Sequence, residues 1–291
     1  MIHRGHDIAR QRFERIAPEY DLTIGARRKV YNDALTAITI SIARAIDAER
    51  VLDAGCGTGQ RAIELMTALP KARIEAMDFS DAMLDIAINR GVLQAVSSNL
   101  GDFSVTNTYD MIVCLFFVIG YLTPRLIRAQ AMNCLFRALR PGGVLVIDGI
   151  NRFHRGEGRL FRRTRLEIVR DLVTSWLDPR CEFGDKFYRT HHSFGELRGF
   201  HHSFSRPEFE DLIAKAGFVI RRSLVVGYDT GEEHDEIHKG QLVIICERPS
   251  NEPVSVPTPV RDELVPQGVQ TSTVLEVKSG FGQHQRGTAG E

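Results

Sequence analysis

The chain has 291 residues, enough to bury a full core as one large domain or two small ones. Lys plus Arg and Asp plus Glu both total 37, so the formal net charge is zero, which argues against a surface given over to nucleic acid or anionic membrane and leaves room for local basic patches. The five cysteines are scattered without a Cys-x-x-Cys pair, several inside apolar runs, as expected of reduced core residues in a cytoplasmic protein. No signal-peptide h-region stands at the N-terminus. The most apolar run, MIVCLFFVIGYL at 111–122, is too short to span a bilayer and reads as a buried strand with its exit.

Residues 7–46 carry apolar positions at helical spacing, interrupted at APEYDLTIG, where Pro18 and Gly25 punctuate. VLDAGCGTGQ (51–60) comes next. Val51-Leu52 ends in Asp53, then Gly55, Gly57 and Gly59 alternate with small residues, and Ala62, Ile63, Leu65, Met66 and Leu69 mark a helix. Strand, glycine turn, helix is the opening of a nucleotide-binding α/β unit. The Gly-x-Gly-x-Gly spacing differs from the Gly-x-Gly-x-x-Gly of dinucleotide binders, and no Lys-Ser/Thr succeeds it as in a P-loop. An acidic Asp53 in the turn suits a cationic ligand group and disfavours a pyrophosphate.

RIEAMDFS (73–80) predicts a second strand ending in Asp78, about 20 residues past the glycines, where a carboxylate can take both hydroxyls of a ribose. Ser80 caps the helix DAMLDIAINR. A third strand falls within 92–100 and leads to Gly101, Asp102 and Phe103. YDMIVCLF (109–116) is a continuous apolar run, as in a parallel strand buried on both faces. Residues 122–140 are an amphipathic helix stopped by Pro141-Gly142-Gly143, and GVLVIDG (143–149) is a fifth strand.

These blocks resemble the class I S-adenosylmethionine (SAM) dependent methyltransferases. The likeness rests on the glycine stretch and on Asp78, Ser80, Met83 and Leu84 in an acidic-x-Ser-x-x-Met-Leu pattern. It rests also on Leu-Arg-Pro-Gly-Gly-Val-Leu-Val-Ile-Asp at 139–148. The resemblance implies SAM as cofactor, with Asp53 and the turn of Gly55, Cys56, Gly57 and Gly59 at its amino-acid end. It implies Asp78 on the ribose beside Phe79 and Met83, Asp102 and Phe103 at the adenine, and Leu115 at the end of the fourth strand. The Tyr-Asp pair after Ala-Pro resembles an N-terminal cap in which Tyr20 folds over the cofactor; its plain alternative is an ordinary inter-helix turn. Tyr20 and Tyr121 are placed by the same likeness near the sulfonium, where ring faces stabilise positive charge.

The implied fold is α/β, a Rossmann-like doubly wound seven-stranded sheet with an antiparallel last strand. SRPEFEDLIAKAGF (205–218) is the helix before a sixth strand, FVIRRSLVV, and QLVIICERP (241–249) is the seventh, entering as its hairpin partner. Residues 150–205 interrupt the alternation. TRLEIVRDLV and DKFYRTHHSF read as period-two antiparallel strands of a substrate lid. The expected domains are therefore 1–249 for the methyltransferase, with 150–205 as the lid, and 250–291 as a tail without sustained periodicity.

The acceptor is read from the residues just after strand four. No Asp/Asn-Pro-Pro-Tyr/Phe stands there and no proline precedes Cys114, which disfavours nucleic-acid bases. CLFFVIGYL is similar to small-molecule N-methyltransferases, so a small-molecule acceptor with an N or O nucleophile is expected. His191, His192 and Tyr121 are the candidate bases, alongside His201, His202 and Tyr188. No metal site is expected, since adjacent strand histidines point to opposite faces. Between 152 and 170 seven arginines face only Glu157 and Glu167, which suits an anionic acceptor, or else a solvated lid face. The oligomeric state is left open. The alternatives are a SAM-binding scaffold or regulator without catalysis, and another Rossmann nucleotide-binding enzyme.

Overall fold

The computed structural model describes residues 4–25, 29–155, 164–178 and 181–250. The first half of the chain builds five parallel strands: β1 (Arg50–Ala54), β2 (Arg73–Asp78), β3 (Ala95–Ser97), β4 (Tyr109–Cys114) and β5 (Leu139–Gly149). Helices α1 (Arg4–Ile16) and α2 (Lys29–Ala45) precede them, and α3 (Gln60–Ala68), α4 (Asp81–Arg90) and α5 (Arg125–Ala138) connect them. After the insertion come α7 (Arg206–Lys215), β8 (Val219–Val226), a two-residue β9 (Glu233–His234) and β10 (Gln241–Glu247). The sheet runs β3-β2-β1-β4-β5-β10-β8-β9, so the expected seven strands are joined by one short edge strand. β10 lies between β5 and β8 and is antiparallel to both. All seven of its residues are buried, which is why QLVIICE shows no polar alternation.

Successive strand residues feed two cores on opposite faces. Val51, Val113, Val146 and Val243 pack with Leu35 and Ile38 of α2, Leu65 of α3 and Leu84 of α4. Leu52, Ile112, Leu145 and Ile244 pack with Met132 and Leu135 of α5 and with Phe209 and Ile213 of α7. The period-two direction of strand side chains makes this division. The order reverses between β1 and β4, and in open α/β sheets the crevice outside the strand ends at such a point takes the ligand.

The insertion differs from the expectation. DKFYRTHHSF does form β6 (Asp185–His192), paired antiparallel with β7 (Gly195–His202). TRLEIVRDLV is not a strand; it lies in α6 (Arg165–Leu177). Thr164 and Glu167 form a reciprocal capping box that starts this helix. Leu166, Val169, Val173 and Trp176 then recur every three or four residues, a helical period, whereas Leu166, Ile168 and Leu172 supply the alternation that reads as a strand. β7 packs against α1 and against the turn Val118–Tyr121, so the hairpin covers the outside of the N-terminal cap. Arg159, Arg162 and Arg163, the side chain of Arg165 and the tail after Ser250 lie outside the described residues.

Candidate active site

The glycine turn after β1 folds back on β2. Gly55 N–H and Cys56 N–H donate to the Met77 carbonyl at 2.6 and 3.0 Å. Asp78 then accepts from Gly57 N–H at 2.8 Å and from Ser80 N–H at 3.0 Å. Burial pushes the Asp78 pKa up, and these backbone donors oppose the rise. The three glycines differ in what holds them. A Cβ on Gly55 would meet Val118 Cγ2 at 2.5 Å, and one on Gly59 would meet Ala87 Cβ at 2.7 Å. A Cβ on Gly57 would meet nothing within 4 Å, so that position faces open cleft.

The exit of β4 makes the second wall. Phe116 and Phe117 have φ of +74° and +67°, a left-handed conformation that costs bulky side chains of the order of 1–3 kcal/mol each. Asp148, at the end of β5, holds this turn. Its Oδ1 accepts from Phe117 N–H at 2.7 Å and its Oδ2 from Tyr31 Oη–H at 2.9 Å. Tyr31 also stacks on Phe117, with centroids 5.6 Å apart. Burial raises the Asp148 pKa to about 6 against the pull of those donors. The clamp fixes the turn from which Leu115, Phe116, Val118 and Tyr121 line the cleft.

The N-terminal segment closes the third side. Glu14 of α1 accepts from Asp81 N–H and Ala82 N–H at 3.0 and 3.2 Å, capping α4. Asp21 accepts from Thr58 Oγ1 at 2.8 Å and pairs with Arg90, which also donates to the Thr58 carbonyl at 2.7 Å. The Tyr-Asp segment is thus strapped to the glycine turn. Phe13 is the hub of an aromatic wall, 4.9 Å from Tyr121, 5.9 Å from Phe79 and 6.3 Å from Tyr20 between ring centroids.

These walls enclose a cleft of about 800 Å³, part of it open to solvent. Of the residues named from the sequence, Tyr20, Gly55, Cys56, Gly57, Asp78, Phe79, Met83, Leu115 and Tyr121 line it. Gly59 is instead the N-cap of α3, packed on Ala87. Asp53 lies behind the turn, fully buried, with no hydrogen-bond partner on either oxygen and Arg61 at 3.9 Å. Burial raises its pKa to about 6, with Arg61 pulling it back.

Several expected residues stand elsewhere. Asp102 is exposed, accepts from Asn99 Nδ2 across the tight Asn99–Asp102 turn, and lines a neighbouring hollow with Asn99 and Leu122 rather than the cleft itself. Phe103 is buried in the core against Tyr109, because an apolar ring after that turn gains more from the sheet face. Ser98, Asn99 and Leu100 line the hollow that continues the cleft past Asp78 and Phe79. His191 is exposed on β6, opposite Glu196. His192 bonds Thr190 and stacks on Phe194, and neither histidine lines the cleft. His202 is buried between Asp185 and Glu208, at 2.7 and 2.9 Å. Arg152 is buried too, spent on the Ser203 and Phe183 carbonyls and on Glu208. Among the described residues no His/Cys/Asp/Glu cluster could hold a metal.

Phe13, Asn32, Thr36, Arg61 and Phe116 line the cleft and were not assigned to it from the sequence. Arg61 carried the plainest signal, a cation in the first turn of a helix that begins at the glycines.

The residues fit a nucleoside carrying an amino-acid tail. Asp78 offers a carboxylate to the cleft at the end of β2, the acceptor that a pair of ribose hydroxyls needs, and Gly57 leaves open space where a side chain would stand. The family profile of a methyltransferase domain matches residues 51–143, the stretch that builds the glycine-turn wall and the β4-exit wall. That stretch is a methyltransferase domain of the class I SAM-dependent kind, and SAM is its cofactor. A dTDP-4-amino-2,3,4,6-tetradeoxy-D-glucose N,N-dimethyltransferase from Saccharopolyspora spinosa is 34% identical over 134 residues, covering 44% of this chain and 52% of that one. A malonyl-[acyl-carrier protein] O-methyltransferase from Bacillus cereus is 28% identical over 186 residues, covering 62% of this chain and 64% of that one. The chain thus matches about half the length of the first relative and somewhat more of the second. The sugar N-methyltransferase KedS8 from Streptoalloteichus shares the fold, with a TM-score of 0.53 at 17% identity over 79% of this chain and 93% of that one.

Proposed function

We propose that this chain moves the methyl group of SAM to an amine nitrogen of a small-molecule acceptor that also carries an anionic group, such as an amino sugar on a nucleotide. The observation that carries this reading is the 34% identity to an enzyme named for a dTDP-amino sugar, whose substrate joins both features. SAM supplies an already activated methyl carbon, so the protein has to align, dry and charge-stabilise more than react. The ring wall of Phe13, Tyr20, Phe79 and Tyr121 excludes water and offers π faces to a positive centre. In this reading Tyr121, which lines the cleft, accepts a hydrogen bond from the acceptor amine. Arginines of the 152–170 stretch other than the buried Arg152 supply the field for the acceptor's anionic part. All five cysteines are free, which suits a reducing, cytoplasmic setting.

The B. cereus relative, an O-methyltransferase matched over more of the chain, favours a second reading in which a carboxylate is methylated. A screen of amino-sugar nucleotides and carboxylates with labelled SAM separates the two. The first reading expects label in a product stable to mild base. Label released by mild base would mark a methyl ester and favour the second.

A further inference from the structure

The cleft has two ends of different chemistry. Asp78, Phe79 and the Ser98–Leu100 hollow form one end, suited to ribose and base. Past the glycine turn the opposite end lies between α2 and α3, where Asn32, Thr36, Gln60, Arg61 and Glu64 line it. A nucleoside seated at Asp78 therefore has its amino-acid tail directed towards this polar end.

Arg61 is the cation there, and its environment is unusual for a structural arginine. It is 9% exposed, its Nε has no hydrogen-bond partner, and its Nη2 makes one long contact of 3.3 Å to Asn32 Oδ1. Its counter-ion is Asp53, whose nearest oxygen is 3.9 Å away, beyond hydrogen-bond reach, and whose two oxygens are otherwise orphaned. Buried guanidinium groups in folded proteins have their forked donors satisfied, as those of Arg152 are here. Arg61 reaches the cleft surface and Asp53 does not.

The structure assigns Arg61 as the residue that takes the carboxylate of the methionine end of SAM, with Asp53 behind it as the buried anion that positions the guanidinium. The assignment rests on the cofactor reading and moves Asp53 from direct ligand to support. The forked donors fit a carboxylate bidentately, and the burial of the guanidinium limits screening of the pair by water. Asp53 gives the arginine an anion to stand against when no ligand is bound, so the site need not bury a lone cation.

Calorimetric titration with three probes tests this: S-adenosylhomocysteine, its decarboxylated analogue, and 5′-methylthioadenosine, which lacks the whole amino-acid end. For Arg61→Gln, S-adenosylhomocysteine affinity is expected to fall roughly 10- to 100-fold. The decarboxylated analogue and methylthioadenosine should bind within about 3-fold of the parent, on the same reasoning. Arg61→Lys, which keeps the charge and loses the fork, should fall in between, and it serves if the Gln variant does not fold. Asp53→Asn should lose the carboxylate preference in part, as a positioning residue would. Equal loss for all three probes, or no loss for S-adenosylhomocysteine, overturns the assignment. If the parent binds none of the probes, the cofactor reading itself has failed, an outcome distinct from a parent that binds while Arg61→Gln changes nothing.

Discussion

Substituting the glycines of the turn one at a time separates ligand space from packing space. Gly57 has φ +55°, and a Cβ there meets nothing within 4 Å. In the free protein Gly57→Ala therefore carries only the left-handed backbone cost, about 1–2 kcal/mol, partly offset by the stiffer unfolded chain. That corresponds to a melting temperature lower by roughly 2–6 °C in a domain of this size. The methyl group would nevertheless stand in the cleft against the ligand. An affinity loss of about 100-fold for S-adenosylhomocysteine, roughly 2.7 kcal/mol, is expected, and Gly57→Val should abolish binding. Gly59→Ala inverts the pattern. Its Cβ would sit 2.7 Å from Ala87 Cβ and 3.1 Å from Ala87 Cα, atoms that cannot swing aside, and its φ is +78°. Overpacking and strain together cost roughly 2–5 kcal/mol of stability. Thermal melts and calorimetry on the two alanine variants give both numbers. The reasoning is refuted if Gly57→Ala binds as the parent does, or melts below Gly59→Ala.

Asp78→Ala should weaken S-adenosylhomocysteine by roughly 1–3 kcal/mol in calorimetry, and should also lower the melting temperature, since Gly57 and Ser80 N–H lose their acceptor. Asp21→Ala unstraps the N-terminal cap from Thr58 and Arg90; because Asp21 is partly exposed, stability should change by only about 0–1 kcal/mol, while stopped-flow dissociation of the ligand quickens several-fold. Asp148 carries a folded pKa of about 6 against an ordinary 3.8, so its contribution is fully present at low pH and is lost as pH rises through 6. An amide at this position does not titrate, so the stability of Asp148→Asn relative to the parent should climb by roughly 3 kcal/mol between pH 4 and 7 in urea melts; a flat difference would refute the burial of that charge.

The parallel half of the fold was legible because each of its signals is local. Val51-Leu52 before a run of alternating glycines, Asp78 before a capping Ser80, and Pro141-Gly142-Gly143 after a helix each specify a backbone state in a few residues. The antiparallel β10 was legible from an apolar run with no helical length. The insertion was less so, since Leu166, Ile168 and Leu172 satisfy a period-two strand reading while Leu166, Val169, Val173 and Trp176 satisfy a helical one; only the Thr164–Glu167 capping box decides. Within the site, residues that line the cleft through backbone or strand ends were found, among them Gly57, Asp78 and Leu115. Phe13, Asn32 and Arg61 were missed as lining residues, because their roles depend on how α1, α2 and α3 lean together over the strand ends. Asp102 and Phe103 differ: the family resemblance implied them at the adenine, whereas Asp102 lines a neighbouring hollow and Phe103 packs in the core.

The central claim is that the crevice between β1 and β4 is a SAM site whose methyl group goes to a small amine. Titrating the full chain with S-adenosylhomocysteine and, separately, with NAD tests its foundation most directly. A single micromolar site for S-adenosylhomocysteine, emptied by Gly57→Val, with no heat from NAD, is the predicted result. Binding of NAD at that site, or S-adenosylhomocysteine affinity unaffected by Gly57→Val, would contradict it.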